Sequence, residues 1–425
     1  MLIVYTNKLR QGEHMVRHRV LMNCVVLLLV ADLQAQITMQ HGKTLSELIN
    51  NLYGGDGIQL KNTGHQAHFG ESGDFQNFSK TLQAVLQSRP VFPIPSAVGL
   101  VSYRFNEQTG TYERVEGSLG PILAERGLTT GKGNLNVSLT YTFADFDRFS
   151  GHDTIDLTLH HCLLPECVTN IASPYLKDTI DVEMRFRLKS QTVALSVVYG
   201  VNNKLDVGLV VPYTRNDLSV FTHARIVPGP QSVPPDPHEF DPAIETPDQL
   251  GTGTAIGIGD IVARAKARVL QGAGVDAAVL ADLTLPTGDK QNFLGTGRTR
   301  LKATFIVSKT IRRFTPHINV GYEAVFGDTK LNSVDYRLGT EIASSPKLTI
   351  SGELLGIIRP RASSLFQSTV LEGEVLVGRS DIDGVIGGKW KIADNRAFIF
   401  NFIVPMSNVG IRASSVVTAG VQLGL

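Results

Sequence analysis

From about residue 134 to the C-terminus, apolar residues alternate with small or polar ones in segments of about ten. That is the periodicity of strands, whose successive side chains point to opposite faces. Twelve such segments can be traced, among them Leu135 to Phe143, Leu205 to Tyr213, Val275 to Leu285, Phe398 to Val404 and Val417 to Leu425. No stretch reaches the ~20 apolar residues that a membrane-crossing helix needs, whereas ~9–11 residues suffice for a tilted strand. The alternation therefore predicts an all-β chain, a transmembrane antiparallel up-and-down barrel of about 12 strands (12 to 14) with a small helical N-terminal segment.

The connections carry the same message. Short turns at Asn202 to Lys204, Gln271-Gly272, Thr310 to Phe314, Ser344 to Lys347 and Ala393 to Asn395 take turns with longer excursions at 145–179, 215–257, 286–297, 327–332, 359–380 and 407–413. Tight turns at one end and long loops at the other are the habit of outer-membrane barrels, with the short side periplasmic. Tyr199, Trp390 and Phe398 flank the short turns, and Tyr141, Phe143, Tyr213 and Phe326 lie near the long-loop ends, as interfacial girdles do. The expected location is the bacterial outer membrane. With 40 basic against 39 acidic residues, charge offers no reason to expect nucleic acid as a partner.

The N-terminus reads differently. Val20 to Ala31 is apolar apart from Asn23 and follows Arg17, His18 and Arg19, which is the layout of a secretory leader. Residues 1–35 are expected to be that signal peptide, with either Met1 or Met15 as the start. Residues 36–133 form an N-terminal segment before the barrel at 134–425. Leu45, Leu48, Ile49 and Leu52 are spaced for a short amphipathic helix that stops at Gly54-Gly55; a second helix is expected over about 79–88, and a hairpin over about 101–115. This segment reads either as a periplasmic lead-in that plugs the barrel or as two further strands.

The polar faces supply the candidate functional residues. Glu183, Arg185, Arg187 and Lys189 share one row, Arg264, Lys266 and Arg268 another, Asp276 and Asp282 a third, and Arg337 and Glu341 a fourth. Charged rows have no place in a dry sandwich core, so all are expected to face a wet lumen. Beyond Lys189 the apolar register shifts by one, to Val193, Leu195, Val197 and Tyr199, which suggests a β-bulge near Ser190-Gln191. Cys162 and Cys167 are candidates for a disulfide on a cell-surface excursion. Free thiols, or a metal cluster with His160, His161 and Glu166, are the alternatives, and no metal site is assigned.

Enzyme motifs fail on spacing. Gly131-Lys132 lacks the glycine and the Ser or Thr of a phosphate loop, and Gly251, Gly253, Gly257 and Gly259 do not fall in dinucleotide-binding register. No catalytic residue or cofactor is assigned. Taken in order, however, Leu52 to Ile58, Leu119 to Gly127 with Thr130 to Gly133, Tyr199-Gly200, Leu205 to Gly208, Gly257 to Asp260, Leu285 to Gly288 and Leu294 to Gly297 resemble the outer-membrane barrel family named for the meta pathway of phenol degradation. That resemblance spans roughly residues 45–425. It implies a channel-like or transporter-like protein, distantly similar to outer-membrane transporters of hydrophobic compounds and fatty acids. The expected partners are outer-membrane lipid, the barrel-assembly machinery and a small hydrophobic or aromatic solute taken up passively. A non-transporting barrel with a structural or adhesive role is the alternative.

Overall fold

A computed structural model of the chain describes residues 43–53, 58, 103–106, 111–114, 118–160, 179–228, 239–240, 247–272, 274–360, 380–408 and 410–425. The expected leader, the helix over 79–88 and the Cys162 and Cys167 pair lie outside them. The first element is helix α1, Leu45–Asn50. A two-stranded hairpin follows, β1 (Tyr103–Asn106) with β2 (Thr111–Arg114). The remaining strands are β3 (Leu135–Phe149), β4 (Ile155–His160), β5 (Thr179–Asn202), β6 (Leu205–Val227), β7 (Asp248–Ile258), β8 (Ile261–Gly272), β9 (Val275–Leu285) and β10 (Arg300–Lys309), then β11 (Phe314–Val325), β12 (Ser333–Ser345), β13 (Leu348–Ile358), β14 (Ser380–Ala393), β15 (Arg396–Pro405) and β16 (Ile411–Gly424).

Twelve of these close a barrel. Strands β8 to β16 pair in chain order, β16 returns to β3, β3 pairs with β5, β5 with β6, and β6 with β8. Every pair is antiparallel. Strands β4 and β7 stand outside that count, because β4 pairs only with the far half of β5 (Ile155 opposite Met184) and β7 only with the far half of β6 (Gly251 opposite Val220). The long hairpin β5–β6 thus outgrows the barrel wall, flanked by β4 and β7. Parts of the excursions read from sequence as 145–179 and 215–257 are strand for this reason.

The two faces of the wall differ as lipid and lumen require. On β6 the outward row is Leu205, Val207, Leu209, Val211 and Tyr213, while Asp206 and Thr214 are buried inside. On β3 the outward row Leu135, Val137, Leu139 and Tyr141 backs an inner row of Asn136, Ser138, Thr140 and Thr142. Exposed apolar side chains on a closed antiparallel wall belong against acyl chains, which places the protein in the bacterial outer membrane. An arginine at Val207 or Val279 is accordingly expected to cost about 2–4 kcal/mol in folding titrations into lipid, with leucine at either position near neutral.

Above the membrane the logic inverts. The β5–β6 pairing runs unbroken from Thr179 opposite Val227 to Gly200 opposite Asp206, so no bulge interrupts Ser190-Gln191. What changes there is the surroundings. Below Ser190 the outward side chains are apolar and the inward ones small and mostly polar (Ser190, Thr192, Ala194, Ser196); beyond it Ile180, Val182, Met184, Phe186 and Leu188 are buried inside. Glu183, Arg185, Arg187 and Lys189 therefore point outward into water, not into the lumen. Arg185 is 63% exposed and pairs with Glu183, and Arg187 is 53% exposed and pairs with Asp145.

Candidate functional site: the barrel interior

The interior has two layers. At the loop end it is apolar, and α1 fills it. Thr44 caps the helix by accepting from the Glu47 N–H at 3.2 Å, and the Glu47 carboxylate accepts from the Lys43 N–H at 2.8 Å. Six residues do not hold a helix in water by themselves, so packing must stabilise this one. Leu45, Leu48 and Ile49 are fully buried, and Leu52 nearly so, in one cluster with Val182, Met184, Phe186 and Val220. Each such side chain contributes on the order of 1.5–3 kcal/mol. Gly251 on β7 makes the seat, since a Cβ there would strike Leu48 and Leu52. The Asn292 side chain, in the loop between β9 and β10, accepts from the Leu45 N–H at 3.1 Å. Helix α1 thus sits at the long-loop end, the opposite end from the periplasmic lead-in read from sequence.

At the turn end the interior is polar, and an extended segment preceding β3 crosses it. A backbone without regular structure inside a barrel needs a partner for each N–H. Wall side chains supply them. The Leu119 N–H donates to Thr349 Oγ1 at 2.8 Å, and the Glu353 carboxylate accepts from the N–H groups of Ile122, Leu123 and Ala124 at 2.8, 3.2 and 2.7 Å. Asn319 makes a two-way bond with Glu125, accepting from its N–H at 2.6 Å and donating to its carbonyl at 2.9 Å. Further along, Gly127 donates to Ser308 Oγ at 3.0 Å, Thr130 to Asp206 Oδ2 at 2.8 Å, and Gly133 to the Gly200 carbonyl at 2.8 Å. These partners lie on β13, β11, β10, β6 and β5, so the segment is tied from one side of the wall to the other.

Charge pairing completes the layer. Lys266 Nζ donates to Glu125 Oε2 at 2.9 Å, Arg264 Nη1 lies 3.5 Å from Glu125 Oε1, and Arg264 Nε lies 3.0 Å from Asp282. Arg126 pairs with Glu341, and Arg337 donates to the Leu123 carbonyl. Arg268 and Asp276 are buried as well, the latter with its backbone against Gly127. Of the residues singled out in the sequence, Arg264, Lys266, Asp282, Arg337 and Glu341 gather around residues 119–130. Lys266 thus pairs with the crossing segment, and Arg264 with both that segment and Asp282 of the neighbouring strand. Glu353, Asn319, Ser308 and Asp206 were missed. Their signal was an inward polar position on an alternating strand, as Glu353 is beside Thr349 and Ser351.

Close approach also explains several glycines. A Cβ at Gly200 would overlap the Gly131 carbonyl, and one at Gly127 would overlap the Asp276 backbone. Asp260 binds the 286–297 loop, accepting from the Gly288 N–H at 3.0 Å and from the Thr296 N–H and hydroxyl at 2.7 Å each. Gly200→Ala is therefore expected to detach the end of the crossing segment at Gly133 while the barrel still forms. Protease digestion of the purified protein would show it as new cleavage between about residues 127 and 134.

Residues 173–354 match the protein family described as "Putative MetA-pathway of phenol degradation". No curated protein matches the chain. Among solved structures it is similar to an outer membrane channel from Pseudomonas putida F1, with 12% identity and a TM-score of 0.44, covering 70% of this chain and 97% of that one. It is also similar to a Pseudomonas aeruginosa FadL homologue (8% identity, TM-score 0.32, 69% of this chain and 89% of that one). A toluene transporter from Ralstonia pickettii gives 12% identity and a TM-score of 0.31, again covering 69% and 89%.

Proposed function

We propose that this barrel is a passive outer-membrane channel for small hydrophobic or aromatic solutes, with the segment before β3 as its plug. The observation that carries this reading is the layering of the interior. Its loop end is apolar, with Val182, Met184, Phe186 and Val220 packed around α1 on the side where a solute from outside arrives, and the polar layer beneath is crossed by residues 119–130. A pore for hydrophilic solutes has no use for an apolar mouth, while an apolar solute gains about 25 cal/mol for each Å² it buries there. The family match at residues 173–354 supports the same reading, since phenol is a small aromatic compound.

The test is initial uptake of a labelled monoaromatic hydrocarbon by cells whose lipopolysaccharide leaflet slows its unaided entry. Expression of the intact chain is expected to raise the rate, and a saccharide of similar size should not gain. Equal rates with and without the chain would overturn the proposal. They would favour the structural or adhesive alternative, for which the projecting β4–β7 sheet, with its charged outer face, is the natural surface.

A further inference from the structure

The charge on the outside of the wall is distributed unevenly between its two ends. At the loop end exposed bases are interspersed with acids and several are paired, Arg187 with Asp145 at 2.6 Å, Arg215 with Asp217 at 2.9 Å and Arg225 with Asp181 at 3.4 Å, while Arg148, Lys290 and Lys330 stand among the exposed Asp153, Asp156, Asp248 and Asp289. At the turn end, the three consecutive hairpins of β10–β11, β12–β13 and β14–β15 present Lys309, Arg312, Arg313, Lys347, Lys391 and Arg396. One acidic side chain, Asp394, stands among them and pairs with Lys391 at 2.8 Å. Among the described residues the other five form no ion pair. The chain as a whole carries a net charge of only +1, so this arc is a local concentration.

Where these side chains point narrows the partner. Lys309 continues the outward row Leu301, Ala303, Phe305 and Val307, and Arg396 continues the outward row Phe402, Phe400 and Phe398. Each stands one step past the last lipid-facing residue, where a long basic side chain reaches headgroups while its stem stays on apolar surface. Exposed Phe314, Trp390 and Ile392 lie between them, and Trp390 is the chain's single tryptophan. An ordinary interfacial belt would run evenly around the barrel. Here the other turn-end positions offer only Lys132 and Lys204 as exposed bases among the described residues. An acidic periplasmic protein would dock on the rim from below, whereas Lys309 and Arg396 face sideways into the bilayer.

We infer that the β10–β15 arc is a binding surface for anionic phospholipid headgroups of the inner leaflet. Native mass spectrometry of the intact chain, released from mixed micelles of phosphatidylglycerol and phosphatidylcholine, tests this directly. The wild type is expected to retain phosphatidylglycerol preferentially, and Lys309→Gln with Arg396→Gln to lower that preference by about fivefold per charge removed. Lys309→Arg should preserve it, and heat-modifiable migration confirms that each variant is folded. Equal retention of the two lipids by the wild type, or an unchanged preference in the double variant, would overturn the inference. So would loss of preference only on Arg312→Gln with Arg313→Gln, which points to a partner below the rim, or displacement of the lipid by inorganic phosphate alone.

Discussion

Replacing Arg126 by methionine is expected to destabilise the folded protein by about 3–5 kcal/mol, because it strands the Glu341 carboxylate in the barrel interior with its main partner gone. Both side chains are almost fully buried, Glu341 at 0% and Arg126 at 2% exposure. Neither can turn to bulk water when the other is removed. The companion variant Arg126→Met with Glu341→Met removes both charges and keeps the volume, and such exchanges are often neutral. It should therefore regain most of the lost stability, which a denaturant titration in detergent would record as a strongly non-additive cycle. Near-additive costs would mean that the pair is not a unit, and that the crossing segment is held by its backbone bonds alone.

How much of this was legible in the sequence depends on how constant the surroundings of each strand are. Strands β9 and β10 meet lipid on one face and lumen on the other along their whole length, so alternation gave their facing directly, down to Asp282 beside Arg264. Strand β5 leaves the membrane near Ser190, and there the apolar face turns inward to meet α1 while the charged face meets water. Period two reports only that the faces differ. It does not report which one is wet, and an exchange of surroundings looks the same as a bulge. The helix over Leu45 to Leu52 was readable from its spacing, but its place at the loop end depends on Gly251 and Asn292, some 200 residues away. The same limit hid Glu353: its face was evident, but the three N–H groups it serves come from a segment without periodicity.

Glu353 gives the other large expected effect, and this one is functional. Its carboxylate is the acceptor for three consecutive N–H groups of the crossing segment and also takes a bond from the Ser351 hydroxyl at 2.9 Å. Hydrogen bonds to an ionised acceptor contribute about 1.5–3 kcal/mol each, so Glu353→Ala removes the strongest tie between residues 119–130 and the wall. The barrel's own ladder is untouched, since β13 pairs with β12 and β14 through backbone groups. The variant should insert and migrate as a folded barrel while its open-to-closed ratio in planar bilayers rises about tenfold or more, the factor that ~1.4 kcal/mol of lost closure implies. Glu353→Gln, which keeps an acceptor oxygen but loses the charge, should fall between the two. Asn319→Ala in the Glu353→Ala background should add to the effect, because it removes the two-way bond to Glu125 from the same stretch. A folded Glu353→Ala barrel that conducts no more than the wild type would show that residues 119–130 do not close the path, and the plug would have to be sought elsewhere in the interior.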